Sequence, residues 1–150
     1  KKGDNMVEEQ LYKKILFPTD GSKYAQKAEK DALFLAETCD AELIILSVVE
    51  NSFSVGLPAD DTTFRITEML KEDVKNNLSN AKNDIGENVK VTTKIGEGSP
   101  ADVILKTAEN ENIDLIVMGS SGKTGFDRFI MGSVAERVVK AAKCKVLVIH

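Results

Sequence analysis

Glycine and serine recur between residues 119 and 133 in a pattern suited to holding an anion by main-chain amides. The stretch Asp114–Arg137 reads DLIVMGSSGKTGFDRFIMGSVAER. Its apolar run, Leu115 to Met118, stops at Gly119. Gly122 follows, nine residues intervene, and Gly132-Ser133 then opens what reads as a helix. Glycine lets a backbone approach a ligand closely and adopt positive φ. Exposed amides and a helix N-terminus supply donors and a partial positive charge. The chemistry this predicts is the binding of a nucleotide's phosphates.

Other phosphate and phosphoacceptor motifs fail on spacing. Gly119-Ser-Ser-Gly-Lys-Thr124 resembles a Walker A loop, but that motif needs glycine at 117, where this chain has Val117. No G-x-G-x-x-G follows the first apolar run, which excludes a dinucleotide fingerprint. A receiver-type site needs clustered acids, and only Asp20 is in place. Asp20 itself reads either as a turn residue or as a ligand contact. Ser133 and Glu136 have the spacing of a capping box, which is compatible with a phosphate nearby. Lys123 and Arg128 read as solvated loop cations, with Asp127 beside Arg128. His150, the single histidine, is not read as a catalytic base, and no catalytic residue is assigned. Cys39 and Cys144 have neither metal nor redox spacing and read as two free, mostly buried thiols.

The elements that must position this loop alternate along the chain. Lys14–Pro18 (KILFP) reads as a buried strand. Thr19-Asp20-Gly21 turns, and Ser22 caps a helix with Ala25, Ala28, Ala32 and Leu35 on its apolar face, ending near Cys39-Asp40. Glu42–Val49 is apolar on both faces, as a central parallel strand would be. Residues 51–61 form a long irregular segment. A helix starting at Asp60 or Asp61 carries Met69 or Leu70, Val74, Leu78, Ala81 and Ile85, and Gly86 ends it. Val89–Ile95 alternates like an edge strand. Ser99 caps the next helix, with Pro100 at its first position, running to about Asn110. Leu115–Met118, a helix from Ser133 to about Ala142, and Val146–Ile149 complete the series. Strand–helix alternation predicts an α/β fold with an open parallel sheet, doubly wound, whose ligands bind beyond the carboxyl ends of the strands.

The chain has 150 residues, 42% hydrophobic and 29% charged, with a net charge of -4. That composition predicts one globular domain. The acidic balance argues against nucleic acid as a partner, and the lack of a long apolar run argues against a membrane span. Residues 1–12 read as a flexible N-terminal extension ahead of a single domain over 13–150.

The G-x-x-G, nine residues, G-S pattern, together with KKILFPTDGS, the GSP turn, DLIVMGSSGKTG, GSVAERV and CKVLVI, resembles the ATP-binding branch of the universal stress protein family. The resemblance covers Lys13 to Ile149. It implies a five-stranded sheet of order 3-2-1-4-5, similar to the adenine-nucleotide α-hydrolase architecture. It also implies that Pro18, Thr19 and Asp20 line the adenine and ribose, that Val48 touches adenine, and that Met118 and Gly119 flank the ribose. Gly122, Gly132, Ser133 and Val134 would then hold the phosphates. The implied ligand is ATP, or AMP or ADP, with Mg²⁺ or Mn²⁺ accompanying the triphosphate and no protein metal site. The implied protein is a cytoplasmic stress-response homodimer paired through Val146–Ile149, with the Ser120–Met131 loop read by a protein partner. A slow ATPase and a nucleotide-independent scaffold dimer are the alternatives. Against the first, no side chain reads as a general base.

Overall fold

Among the described residues, five parallel strands and four helices alternate strictly: β1 (Lys14–Pro18), α1 (Lys23–Cys39), β2 (Glu42–Val49), α2 (Asp61–Asn83), β3 (Val91–Glu97), α3 (Pro100–Asn110), β4 (Leu115–Gly119), α4 (Ser133–Ala141) and β5 (Lys145–Ile149). The computed structural model describes residues 10–50, 56, 58–83, 85–121 and 130–150. Sheet order is β3-β2-β1-β4-β5, as the resemblance implies. In register, Ile15 faces Leu43 on one side and Leu115 on the other.

Side chains alternate across the sheet, so each central strand feeds two cores. Ile15, Phe17, Leu43, Ile45, Leu115 and Val117 pack with Ala28, Ala32 and Ala36 of α1 and Leu78 of α2. Leu16, Ile44, Leu46, Ile116 and Met118 face the other way, onto Ala101, Ile104 and Ala108 of α3 and Ala135 and Val138 of α4. Two helices cover each face, which is why the central strands are apolar on both sides.

Helix ends follow local chemistry. Ser22 Oγ accepts the Ala25 N–H at 3.3 Å, and Asp40 closes α1 at φ 52°. Asp60 Oδ1 accepts the Thr63 N–H at 2.8 Å and so caps α2. At the amino-terminal end of the sheet, Asp114 Oδ2 accepts the N–H groups of Lys13 and Lys14 at 2.8 and 2.9 Å. Ahead of β1, Gln10 Nε2 donates to the carbonyls of Cys39 and Asp40 at 2.9 and 2.8 Å, and Tyr12 packs on the α1 core.

Several expectations need correction. The fully buried stripe of α1 also includes Ala36, and Leu35 packs half-buried against the same core, as expected. On α2, Met69 points outward at 69% exposure and Leu70 is also exposed. That helix stops at Asn83, before Ile85, whose N–H donates to Lys82 O at 3.3 Å in a final turn. β3 starts at Val91 rather than Val89, and on its α2 side Thr93 and Ile95 are exposed, because α2 leaves this edge strand partly uncovered. Ser99 holds the N-cap position of α3 but its side chain makes no capping bond. Both cysteines are free, as expected, but half-buried.

Candidate functional site at the carboxyl rim

The chain order reverses between β1 and β4, the two central neighbours from which the sheet grows in opposite directions. A crevice opens at such a switch point beyond the carboxyl ends of the strands. Pro18 is the last residue of β1, with Thr19 and Asp20 leading away from it. Val48 lies near the end of β2, and Met118 and Gly119 end β4. Gly132, Ser133 and Val134 begin α4. Of the residues expected at the site, these nine stand on elements that end or begin at one rim of the sheet. Gly122 lies outside the described residues, as do Lys123, Gly125, Asp127 and Arg128.

The β1 exit is a bonded turn. Thr19 N–H donates to Leu46 O at 2.8 Å. Thr19 Oγ1 accepts the Gly21 N–H at 3.2 Å, and Asp20 Oδ1 accepts the Ser22 N–H at 2.9 Å. Gly21 adopts φ 74°, a region that favours glycine. The turn reading of Asp20 is therefore correct, and the same turn holds an exposed carboxylate at the rim.

The β4 exit has a different logic. Gly119 lies so close to the first turn of α1 that a Cβ there would stand 2.8 Å from the Tyr24 carbonyl carbon and 3.0 Å from Ala25 N. Its lack of a side chain is thus explained by packing of strand against helix. Met118 turns its side chain into the α3–α4 core and is 5% exposed, so only its main chain reaches the rim. Ser120, 2% exposed, donates its N–H to Ile149 O at 2.8 Å and accepts the Gly132 N–H at 2.7 Å. The main chain of one residue thereby ties the ends of β4 and β5 to the start of α4.

The capping box at Ser133 does not form. Gly132 is the N-cap, at φ -63° and ψ 161°, and Ser133 is the first helical residue. The bond from Gly132 N–H to Ser120 O fixes the extended residue one place earlier than the sequence suggests. Glu136 instead pairs with Lys140 at 2.6 Å; the hydrogen bond from that ammonium, with its charge, holds the Glu136 carboxyl below its ordinary range. Among the described residues, no side chain caps the start of α4. The N–H groups of Ser133, Val134 and Ala135 consequently have no acceptor within the helix. A helix start of this kind, set at the end of a parallel strand, is suited to an anion. The amide of Ala135 was not foreseen, because the capping-box spacing placed the helix start too late. Ser120 was missed because neither of its bonds leaves a local sequence signal.

Among the described residues no group of three or more His, Cys, Asp or Glu side chains is placed to hold a metal ion. No helix among them is long and apolar enough to cross a membrane. A groove of about 390 Å³ lies elsewhere, between α2 and β3, lined by Lys75, Leu78, Ser79, Lys82, Thr93 and Ile95. It contains none of the glycine pattern.

Sheet order, switch point and the uncapped start of α4 define an open, doubly wound α/β domain with its candidate site at the carboxyl rim. The model of the universal stress protein family matches residues 11–150, and the chain belongs to that family. Universal stress protein MJ0531 of Methanocaldococcus jannaschii is 48% identical over 142 residues, which are 94% of this chain and 84% of that protein. The solved structure of MJ0577 from the same organism has a TM-score of 0.83 at 35% identity, covering 93% of this chain and 96% of that one. A universal stress protein solved in complex with cAMP is also similar, with a TM-score of 0.61 at 25% identity, covering 93% of this chain and 98% of that one.

Proposed function

We propose that this chain binds ATP at the carboxyl rim and acts as a nucleotide-dependent regulatory dimer in the cytoplasm. The observation that carries the reading is the bare start of α4. Gly132 caps the helix without a side chain, and the amides of Ser133, Val134 and Ala135, which have no acceptor within the helix, suit an anion beside the β1–β4 switch point. The cAMP complex of a similar family member supports an adenine nucleotide as the ligand.

In this reading the phosphates lie at Gly132–Val134 with help from Gly122. Pro18, Thr19, Asp20 and Val48 face the adenine and ribose, and the main chain of Met118 and Gly119 lies between. Asp20 accepts from the ribose hydroxyls. A divalent ion, Mg²⁺ or Mn²⁺, is carried by phosphate oxygens and water. Bound nucleotide favours one state of the Ser120–Met131 loop, which a protein partner reads; such a shift requires different affinities for the loop states.

The edge strand β5 is the proposed dimer seam. Among the described residues no strand pairs with its outer side, and Leu147 and Val139 are exposed near it. Thermal unfolding with and without ATP, ADP or AMP tests the nucleotide reading. A ligand at 100 times its dissociation constant adds about 2.7 kcal/mol, so one of the three raises the midpoint clearly. An unchanged midpoint with all three refutes the proposal. Steady hydrolysis above a no-protein control, lost in Asp20→Ala, would instead identify a slow ATPase.

A further inference from the structure

Ser47 interrupts an otherwise aliphatic stretch of β2, Leu43 to Val49, and is 6% exposed. It is on the same face of the strand as Ile45 and Val49, the α1–α2 side. A strand buried on both faces gains nothing by desolvating a hydroxyl unless that hydroxyl is bonded. Ser47 Oγ donates to the Thr19 carbonyl at 3.1 Å.

Thr19 is where β1 leaves the sheet, and it is held at three points. Its N–H reaches Leu46 O at 2.8 Å. Its Oγ1 receives the Gly21 N–H at 3.2 Å, and its carbonyl receives the Ser47 hydroxyl at 3.1 Å. The Thr19 carbonyl belongs to the peptide that leads into Asp20. Its direction therefore fixes where the Asp20 backbone starts, and the bond from Ser22 N–H then fixes the carboxylate relative to that backbone.

We propose that Ser47 is a positioning residue of the nucleotide site, orienting Asp20 toward the adenosine moiety by holding the Thr19 carbonyl. The proposal rests on the nucleotide reading above. Ser47 touches no ligand; it acts through the Thr19–Asp20 peptide.

Calorimetric titration of the full chain with ATP and with adenosine tests it. Ser47→Ala weakens both ligands by about fivefold, the worth of one directional hydrogen bond. The equal loss arises because Asp20 faces the adenosine end and not the phosphates. Ser47→Thr keeps the hydroxyl on a side chain suited to strands and binds within about twofold of the parent. Ser47→Cys, of similar size but a weak donor, repeats the loss if the alanine variant folds poorly. In an Asp20→Ala background the Ser47→Ala change costs nothing further, since coupled neighbours are not additive. Parental affinity in both Ser47→Ala and Ser47→Cys overturns the proposal, as does a full additive loss in the Asp20→Ala background. A parent chain that binds neither ligand refutes the nucleotide reading itself, and the role of Ser47 falls with it.

Discussion

Gly119 and Gly132 belong to one sequence pattern but are glycine for different reasons, and replacing each separates the two. At Gly119 an added Cβ stands 2.8 Å from the Tyr24 carbonyl carbon, 2.9 Å from Tyr24 Cβ and 3.0 Å from Ala25 N. Two of those three are backbone atoms of a helix seated on the sheet by four buried alanines, so no rotamer change relieves the contact. Either β4 or α1 must shift, and overpacking of this kind costs about 1–3 kcal/mol. For a chain of 150 residues, each kcal/mol lowers the midpoint by about 2–4 °C. Gly119→Ala is therefore expected to melt roughly 2–12 °C lower. At Gly132 the backbone, φ -63° and ψ 161°, is open to any residue. Among the described residues, the nearest atoms to a Cβ there are Ser120 O at 3.2 Å, Ser121 Cα at 3.4 Å and Ser121 Oγ at 3.7 Å, so a small give of the neighbouring loop accommodates it. Gly132→Ala should cost under about 1 kcal/mol, and Gly132→Val should still fold. The valine variant nonetheless places a side chain at the mouth of the α4 amides, so the rise of about 5–10 °C expected with saturating ATP disappears. Circular dichroism melts of the parent and the variants, each with and without ATP, give the whole comparison. A Gly119→Ala midpoint within a degree of the parent refutes the packing argument. An undiminished ATP shift in folded Gly132→Val refutes the phosphate assignment.

The Asp60 cap of α2 gives a pH dependence. Hydrogen bonding from the Thr63 amide holds the Asp60 carboxyl below its ordinary value of 3.8, so the unfolded chain takes up this proton first. Its contribution is complete above that value and is lost as pH falls through the lower folded-state value. Asp60→Asn should keep the cap but remove this part of the acid-side loss in urea titrations, whereas Asp60→Ala should destabilise the helix at neutral pH as well. Burial, aided by the nearby Asp114 carboxylate, raises the Cys144 thiol above its usual range against the opposing effect of its own backbone hydrogen bond. Cys144 should consequently alkylate with iodoacetamide at pH 7.5 more slowly than a model thiol, as read by intact mass in a Cys39→Ser chain. For the proposed β5 seam, Leu147→Asp should convert a dimer into a monomer in light scattering; a dimer that persists in this variant removes the seam from β5.

The strands were legible because each buried one carries its own evidence. KILFP and LIVM read as short apolar strands and ELIILSVV as apolar on both faces, and β1, β2 and β4 are the centre of the sheet. The alanine repeat of α1 and the Ser22 cap were equally local. What the sequence could not carry was coverage by neighbours. Periodicity gives α2 an inward stripe, but it cannot say that Met69 clears the sheet or that Thr93 and Ile95 of β3 stay exposed. At the candidate site, the spacing of Gly119 and Gly132 was visible, yet the reason for Gly119 is a contact with Tyr24, 95 positions earlier in the chain. The Ser133 capping box was locally plausible and lost to a bond between Gly132 and Ser120 that only the folded chain creates.

The fully buried residues of α1 are all alanine: Ala25, Ala28, Ala32 and Ala36. A helix whose most buried positions are alanines settles deeper onto a sheet than one with leucines there, and here it settles until Tyr24 rests against Gly119. The depth of the crevice at the rim is thus set from below, by how thin that layer of methyls is. Enlarging Ala25 or Ala28, in the turns nearest the rim, would raise the floor of the candidate site without altering any residue expected to line it.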